Sequence, residues 1–143
     1  MTVKSILEEK GRAVMTLAPT DTLESAIRTL ADHKIGALVV TSSTGRIEGI
    51  LSERDIVRII ASGGAEVLHQ PVSFAMTSKV KTCGEAATIN EVMETMTRGR
   101  FRHLPVEHNG MLVGIISIGD VVKRRITEIE TEAEQIRQYI ATV

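Results

Sequence analysis

The chain has 143 residues, of which 43% are hydrophobic and 24% are charged, and its formal net charge is -1. This balance is typical of a globular domain and argues against a disordered or fibrous chain. Proteins that neutralise a nucleic-acid backbone carry a basic excess, and proteins that stack single-stranded bases need several aromatic side chains. This chain has no basic excess, no Trp and three aromatic residues in total, so nucleic acid is not expected as a partner.

The cysteine content and the length of the apolar runs indicate where in the cell the protein is expected. Cys83 is the single cysteine, which excludes a disulfide within the chain and fits a reducing environment. No apolar run approaches the roughly 18 residues of a membrane span. The first twelve residues become charged before a signal-peptide core could form. The composition therefore predicts a soluble, cytoplasmic protein with no membrane contact.

The first half of the chain predicts the order strand, helix, strand, strand, helix. A short strand near residues 14–17 precedes a helix opened by Thr22, in which apolar residues recur at helical spacing. The apolar strand 35–40 follows, and a tight turn leads to a further strand over 47–52. That strand ends at Ser52, which opens the second helix.

The second half of the chain predicts the same order again. Residues 62–71, which include two adjacent glycines, are typical of a flexible crossing between two units. After a second short strand, a helix opens at Thr88 with the sequence T-I-N-E, a capping-box pattern. The strand 101–106, an Asn-Gly hairpin turn and a last strand lead to Ser117 and the final helix.

The two halves match as an internal duplication. Apolar residues of the first helix recur at an offset of 66: Leu23, Ala26, Ile27 and Leu30 match Ile89, Val92, Met93 and Met96. Residues around the second helix start recur at an offset of 65: Gly49, Ser52 and Asp55 match Gly114, Ser117 and Asp120. One repeat of about 50 residues is marginal alone. We therefore expect two repeats packed sheet to sheet about a pseudo-twofold axis, with two equivalent clefts between them.

The sequence G-I-L-S-E-R-D at 49–55, repeated as G-I-I-S-I-G-D at 114–120, supports two compatible interpretations. Ser-x-x-Asp is a capping box that fixes a helix start. The same helix start has free N–H groups and a dipole that favour an anion such as phosphate. An Asp three residues further on can accept hydrogen bonds from two adjacent sugar hydroxyls.

These doubled repeats, each with the pattern Gly, two apolar residues, Ser and then Asp three residues later, resemble a CBS-domain pair, also called a Bateman module. The resemblance covers about residues 10–126 and implies a mixed α/β (α+β) fold of tandem β-α-β-β-α repeats. We divide the chain into residues 1–66, the first repeat with an N-terminal helix; 67–126, the second repeat; and 127–143, an extension of the last helix. The family implies an adenine-containing ligand, such as AMP, ADP, ATP, NAD(H) or S-adenosylmethionine, and a regulatory, non-catalytic role.

The resemblance also implies the residues that bind this ligand. Asp55 and Asp120 take the ribose-binding positions, and Ser52 and Ser117 take the helix starts near phosphate, beside Arg54 and Gly119. The Arg102-His103 pair resembles a basic pair that holds phosphates. The strand residues that line the pocket or read the adenine edge are Ile35, Gly36, Ala37, Phe101, Val14, Met15, Val80 and Lys81.

Simpler interpretations also account for these candidate site residues. The apolar strand residues fit a plain core at least as well, and Lys34, Lys79 and Lys81 fit ordinary surface charges. The histidines lack metal-ligand spacing, so no metal is predicted. Cys83 fits a small buried hydrophobe, and no nucleophile or phosphate-loop motif indicates an enzyme. An interaction scaffold with vestigial sites and a small nucleotide-processing enzyme stay open as alternatives.

The repeats differ where phosphates would bind. The second repeat has Arg102-His103 where the first has Gly36-Ala37. We therefore expect unequal clefts, with Arg102 and His103 serving the cleft of Asp120. The cleft of Asp55 is expected to depend on Arg54.

The tail beyond Asp120 has a regular apolar stripe. Apolar residues recur at alternating spacings of four and three: Val122, Ile126, Ile129, Ala133, Ile136 and Ile140. This is the 3.5-residue seam of a coiled-coil-like contact. The stripe could cover the chain's own core, but its length favours a second copy of the same helix. The sequence thus predicts a homodimer, beside an unknown regulated protein.

Overall fold

The computed structural model describes residues 1–142, so the predicted tail is described except for Val143. The elements in chain order are α1 (Val3–Lys10), β1 (Thr16–Leu17), α2 (Leu23–His33), β2 (Ala37–Thr41), β3 (Ile47–Ser52), α3 (Glu53–Gly63), α4 (Ile89–Gly99), β4 (His103–His108), β5 (Met111–Ser117) and α5 (Ile118–Thr142). Two short 3₁₀ helices, Ala65–His69 and Val72–Phe74, lie between the repeats. This confirms the predicted mixed α/β class and the tandem repeats.

The helix starts lie where the polar capping residues predicted them. The Thr22 hydroxyl accepts a hydrogen bond from the backbone N–H of Ser25 at 3.1 Å, and the Thr88 hydroxyl accepts one from Glu91 at 3.1 Å. The caps satisfy N–H groups that have no partner within the helix. The two capped helices, α2 and α4, also end in the same way. Each is followed by a residue in the left-handed conformation: Lys34 at φ 53° and Arg100 at φ 55°.

The two sheets differ in their first strand. In the first repeat β1 pairs parallel with β2, and β2 pairs antiparallel with β3. In the second repeat β4 pairs antiparallel with β5, and the predicted first strand is reduced to one parallel bridge between Cys83 and Val106. Gly84 follows directly and the chain turns towards α4, so the pairing ends after one residue.

The two repeats meet through their strands and hairpin ends. β2 is buried on both of its faces, and so is the middle of β4, which shows that each strand has a core on one side and a cover on the other. The hairpin turns bond to each other: Ile47 N–H donates to the Gly110 carbonyl, and Leu112 N–H donates to the Gly45 carbonyl, both at 3.1 Å. The repeats therefore form one packed body.

Each sheet has its own hydrophobic core. Each core is completed by a segment from outside the predicted repeat elements. The first core includes Val67 and Val72 from the segment between the repeats. Residues 62–71 were predicted as a flexible crossing, but they include the 3₁₀ helix Ala65–His69, because Val67 packs in the core. The second core includes Val3, Ile6 and Leu7 from α1. The N-terminal helix thus precedes the first repeat in the chain but packs on the second.

The glycine of each repeated motif, Gly49 or Gly114, leaves room for a side chain of the segment that covers its sheet. A Cβ built on Gly49 would lie 2.5 Å from Met76 Sδ, and one built on Gly114 would lie 2.8 Å from Leu7 Cδ2. Real Cβ atoms do not approach other atoms so closely. Met76 and Leu7 therefore occupy matching positions, which makes α1 the counterpart of the segment that precedes the second repeat.

No helix within residues 1–142 is both long enough and apolar enough to cross a membrane.

Candidate ligand-binding clefts

A cleft of about 700 Å³ opens where the two repeats meet, beside the start of α3. We call it the Asp55 cleft. Its walls are the start of α3, the residues before and at the starts of β2 and β4, and the segment 77–81. Both repeats therefore contribute to one site, as expected for a cleft between paired domains.

The charge of the Asp55 cleft is strongly positive. Two carboxylates, those of Glu53 and Asp55, face seven basic side chains: Lys34, Arg54, Arg58, Lys79, Lys81, Arg100 and Arg102. The excess is five positive charges in a chain whose net charge is -1. Such a concentration of one sign favours an anionic ligand, because the walls of a cleft focus the field.

Asp55 uses one carboxylate oxygen for structure and presents the other to the cleft. Its Oδ2 accepts from the Ser52 backbone N–H and from the Ser52 hydroxyl, both at 3.0 Å, and the Asp55 N–H donates to Ser52 Oγ at 3.2 Å. This reciprocal pattern is the predicted capping box. Asp55 Oδ1 lies 3.7 Å from the Arg58 guanidinium. An oxygen in this position can accept a hydrogen bond from a ligand hydroxyl.

The Arg102-His103 pair contributes to the Asp55 cleft, which the sequence did not predict. Both residues line the Asp55 cleft, together with Phe101 and Gly36. The starts of β2 and β4 meet between the repeats: a Cβ built on Gly36 would lie 3.1 Å from His103 Cε1. The absent side chain at Gly36 makes room for the imidazole. The expectation that Arg102 and His103 serve the cleft of Asp120 stays a prediction, since the Asp120 carboxylate also acts on the pKa of His103.

His103 lies between several charges. Burial lowers the pKa of its imidazole below the ordinary value, and the nearby Lys10 and Arg102 charges act in the same direction. The carboxylates of Glu53 and Asp120 oppose this by raising the pKa. The net effect favours a neutral imidazole near neutral pH.

The Asp120 site repeats the cap but differs in its surroundings. Asp120 Oδ2 accepts from the Ser117 backbone N–H at 2.9 Å, and the Asp120 N–H donates to Ser117 Oγ at 3.2 Å. The same Oδ2 accepts from Lys10 Nζ at 2.7 Å. Burial alone would raise the pKa of the Asp120 carboxyl, but the hydrogen bonds from Lys10 and Ser117 and the Lys10 charge lower it below its ordinary value.

Of the other predicted site residues, six line the Asp55 cleft and four do not. The Asp55 cleft is also lined by Ile35, Ala37, Ser52, Arg54, Val80 and Lys81. Ser117, Gly119, Val14 and Met15 do not line it; Ser117 caps α5, and Met15 is 42% exposed just before β1.

Sequence reasoning missed several cations, some in the Asp55 cleft and one beside Asp120. It treated Lys34 and Lys79 as surface charges and did not single out Arg58 or Lys10. Two signals were present: Lys34 and Arg100 occupy the same repeat position, and Arg58 lies one helical turn after Asp55. Nothing in the local sequence links Lys10 to Asp120, which lies 110 residues away.

Cys83 is a partly buried side chain at the edge of the second core. It packs against the second core, and burial, with a smaller effect of Glu107, raises the pKa of its thiol to about 12. The thiol is protonated at neutral pH and is a poor nucleophile.

The fold and the clefts define a tandem β-α-β-β-α pair with an anion-attracting site between its repeats. The family model of the CBS domain matches residues 3–62 and 72–126, and the chain belongs to this family as a CBS-domain pair. Proteins of this kind are generally regulatory modules without catalytic activity.

Relatives support this identification. A CBS-domain-containing protein from Agrobacterium tumefaciens has a solved structure with a TM-score of 0.84 and 53% identity, covering 87% of this chain and 99% of that one. The mitochondrial CBS-domain protein CBSX3 of Arabidopsis thaliana is 30% identical over 97% of this chain and 71% of its own length. The structure of CBSX2 in complex with AMP has the same fold, with a TM-score of 0.73 and 19% identity over 88% of this chain and 96% of that one.

Proposed function

We propose that this protein is a regulatory module that binds an adenine nucleotide in the Asp55 cleft and signals its presence to a partner protein. The observation that carries the proposal is the excess of five positive charges around a helix start that also presents a carboxylate oxygen. A nucleotide combines both complementary groups, since it has anionic phosphates and adjacent ribose hydroxyls. The AMP found in CBSX2 supports the same class of ligand.

The residues of the Asp55 cleft receive distinct roles in this proposal. Asp55 Oδ1 accepts from the ribose hydroxyls, and Ser52 fixes the helix start near the phosphates. The backbone at Val80 and Lys81 reads the edge of adenine. Arg54 and Arg102 bind phosphate, each as a charge-assisted donor.

The charge of the cleft favours nucleotides with more phosphates. ADP, ATP and NAD(H) bring two or more phosphate groups, whereas S-adenosylmethionine brings a positive sulfonium centre. An excess of five positive charges attracts the first group and repels the sulfonium. We therefore rank ADP and ATP above AMP and place S-adenosylmethionine last.

The biological role follows from the ligand class. A protein that senses adenine nucleotides or NAD(H) reports energy or redox state, and a partner receives the signal through a surface that differs between the free and bound states. We propose no catalytic step for this chain. A homodimer formed through α5 and a cytoplasmic location stay predictions.

Calorimetry against AMP, ADP, ATP, NAD and S-adenosylmethionine tests the proposal. We expect the ranking above and a loss of roughly fivefold in ADP affinity for Arg102→Ala, because one partly solvated phosphate contact is removed. Arg98→Ala is the matched control, since Arg98 is 79% exposed on α4, pairs with Glu94 and lies outside the cleft. No heat with any ligand at millimolar concentration would reject nucleotide binding and favour an interaction scaffold.

A further inference from the structure

Lys10, the last residue of α1, pairs with the carboxylate of Asp120. Its Nζ lies 2.7 Å from Asp120 Oδ2 and 3.0 Å from the carbonyl oxygen of Ile115. Asp120 is the repeat counterpart of Asp55. The ammonium group therefore donates to the counterpart carboxylate, at the oxygen that also accepts from the Ser117 backbone N–H, and it is supplied by the chain itself.

Within residues 1–142, no lysine pairs with Asp55 in the way that Lys10 pairs with Asp120. Ile50 is the counterpart of Ile115, and its carbonyl accepts from the backbone N–H of Thr77 at 2.9 Å. Thr77 thus satisfies the carbonyl through the main chain and sends no cation onto Asp55. The charge nearest to Asp55 is Arg58 of its own helix, at 3.7 Å, with a side chain that is 72% exposed. Among residues 1–142, the carboxylate of Asp120 therefore has a lysine from another element and that of Asp55 does not, although the Asp55 side chain is the less exposed of the two, at 10% against 24%.

Lys10 is held in place by the packing of α1. Val3 and Leu7 of this helix are fully buried in the second core, and Leu7 lies against Gly114. Gly11, at φ 97°, ends the helix directly after Lys10. The helix dipole favours a cation in this last turn. The Lys10 side chain is 35% exposed and that of Asp120 is 24% exposed, so the pair is only partly screened by water.

We infer that Lys10 is a built-in competitor for the second cleft and sets the nucleotide stoichiometry of the chain. Nucleotide enters the Asp55 cleft first, because a nucleotide hydroxyl beside Asp120 has to compete with the Lys10 ammonium for that carboxylate. This inference rests on the proposed function, since it takes Asp55 and Asp120 to be equivalent acceptors. It makes Lys10 a specificity-determining residue outside the repeated motif.

Calorimetry with ADP on the wild type, Lys10→Met and Lys4→Met tests the inference. Lys4→Met is the matched control, because Lys4 is an exposed lysine of the same helix. We expect one tight site per chain in the wild type and in Lys4→Met. In Lys10→Met we expect a second site that is at least roughly tenfold tighter than any weak second site of the wild type.

Two outcomes would overturn the inference while leaving the proposed function intact: two equal sites in the wild type, or a second site that is unchanged in Lys10→Met. No ADP binding in any variant would instead reject the proposed function.

A nucleotide-free measurement keeps the inference testable in that case. The pKa of the Asp120 carboxyl, followed by carbon NMR, should rise in Lys10→Met and in Lys10→Gln but not in Lys4→Met. A pKa that stays unchanged in both Lys10 variants would show that Lys10 does not occupy the acceptor.

Discussion

Asp55 combines a structural and a ligand-binding role within one carboxylate. Oδ2 closes the capping box with Ser52, while Oδ1 points to the Arg58 side of the cleft. Its side chain is only 10% exposed, so a hydrogen bond from a ligand replaces little water. The cap fixes the carboxylate before the ligand arrives, which reduces the entropy lost on binding.

Replacing Asp55 should weaken nucleotide binding strongly. Asp55→Ala removes a charged acceptor, and we expect ADP affinity to fall by about 10- to 150-fold, corresponding to roughly 1.5–3 kcal/mol. Ser52→Ala is the control, because it removes the cap hydroxyl at a cost of about 1 kcal/mol in stability but keeps the acceptor. Calorimetry gives the affinities and thermal unfolding gives the stabilities. Equal affinity losses in the two variants would assign the effect of Asp55 to the helix cap.

His103 should make nucleotide binding depend on pH. Its imidazole pKa is lowered in the free protein, chiefly by burial, and a bound phosphate would raise it, so binding takes up a proton. Affinity should therefore fall as pH rises from the free-state pKa, below 6.5, through the higher pKa of the complex.

The matched comparison is ADP calorimetry of the wild type and His103→Gln from pH 5.5 to 8, at about half-unit steps. The phosphate ionises near pH 6 as well, but this contribution is common to both proteins. The difference between the two affinity-against-pH curves therefore gives the contribution of the His103 imidazole. Identical pH profiles would exclude a contact between His103 and the phosphates.

At the scale of elements, α1 and α5 carry the features that distinguish this chain from a bare pair of repeats. α1 covers the second sheet and delivers Lys10 to Asp120. α5 is 25 residues long and continues 16 residues past the region that the family model matches. The isoleucines of its apolar stripe are at least half exposed beyond that region, with Ile129 at 51% and Ile136 at 59%. The chain's own core does not cover these residues.

The exposed stripe of α5 should be a contact between two copies of the chain. Ile129→Glu with Ile136→Glu places two charges in an apolar seam, and we expect the dimer to dissociate because a desolvated charge costs several kcal/mol, on the order of 2–7. The control is Thr131→Glu with Gln138→Glu, which adds the same two charges on another side of the helix. Light scattering measures the mass of each variant. A dimer that survives the isoleucine changes would contradict an α5 interface.

At the scale of the whole molecule, the Asp55 cleft joins the two repeats. Asp55 and Arg54 belong to the first repeat, while Lys81 and Arg102 belong to the second. A ligand that contacts all of them bridges two cores that otherwise meet through strands and hairpin turns. Binding should therefore stabilise the pair as a unit and restrict movement of one repeat against the other.

Nucleotide binding should raise the melting temperature of the whole chain. A ligand at 100 times its Kd adds about 2.7 kcal/mol to the free energy of unfolding. For a chain of this length the shift should be roughly 5–10 °C. Differential scanning calorimetry with ADP measures it, and Asp55→Ala at the same ADP concentration is the control. Two separate transitions, of which ADP shifts only one, would show that the ligand does not bridge the repeats.

The features that the sequence predicted correctly are those set by local spacing. The Ser52–Asp55 box, the Thr22 and Thr88 caps and the alternation of strands and helices depend on residues three or four positions apart, so their pattern is visible in one dimension. The internal duplication also predicted the tandem fold, because two matching runs of strands and helices indicate the same structural unit twice. These local rules held because the polar groups at helix starts need partners wherever the helix packs.

Tertiary structure alone decided which cations share a cleft and which carboxylate is occupied. His103 joins the Asp55 cleft because Gly36, 67 residues earlier, leaves room for its ring across the repeat interface. Lys10 reaches Asp120 because the apolar side of α1 is buried on the second sheet and not on the first. Such contacts depend on which buried surfaces fit together, and that packing is set by the shape of the whole core, which no short sequence pattern encodes.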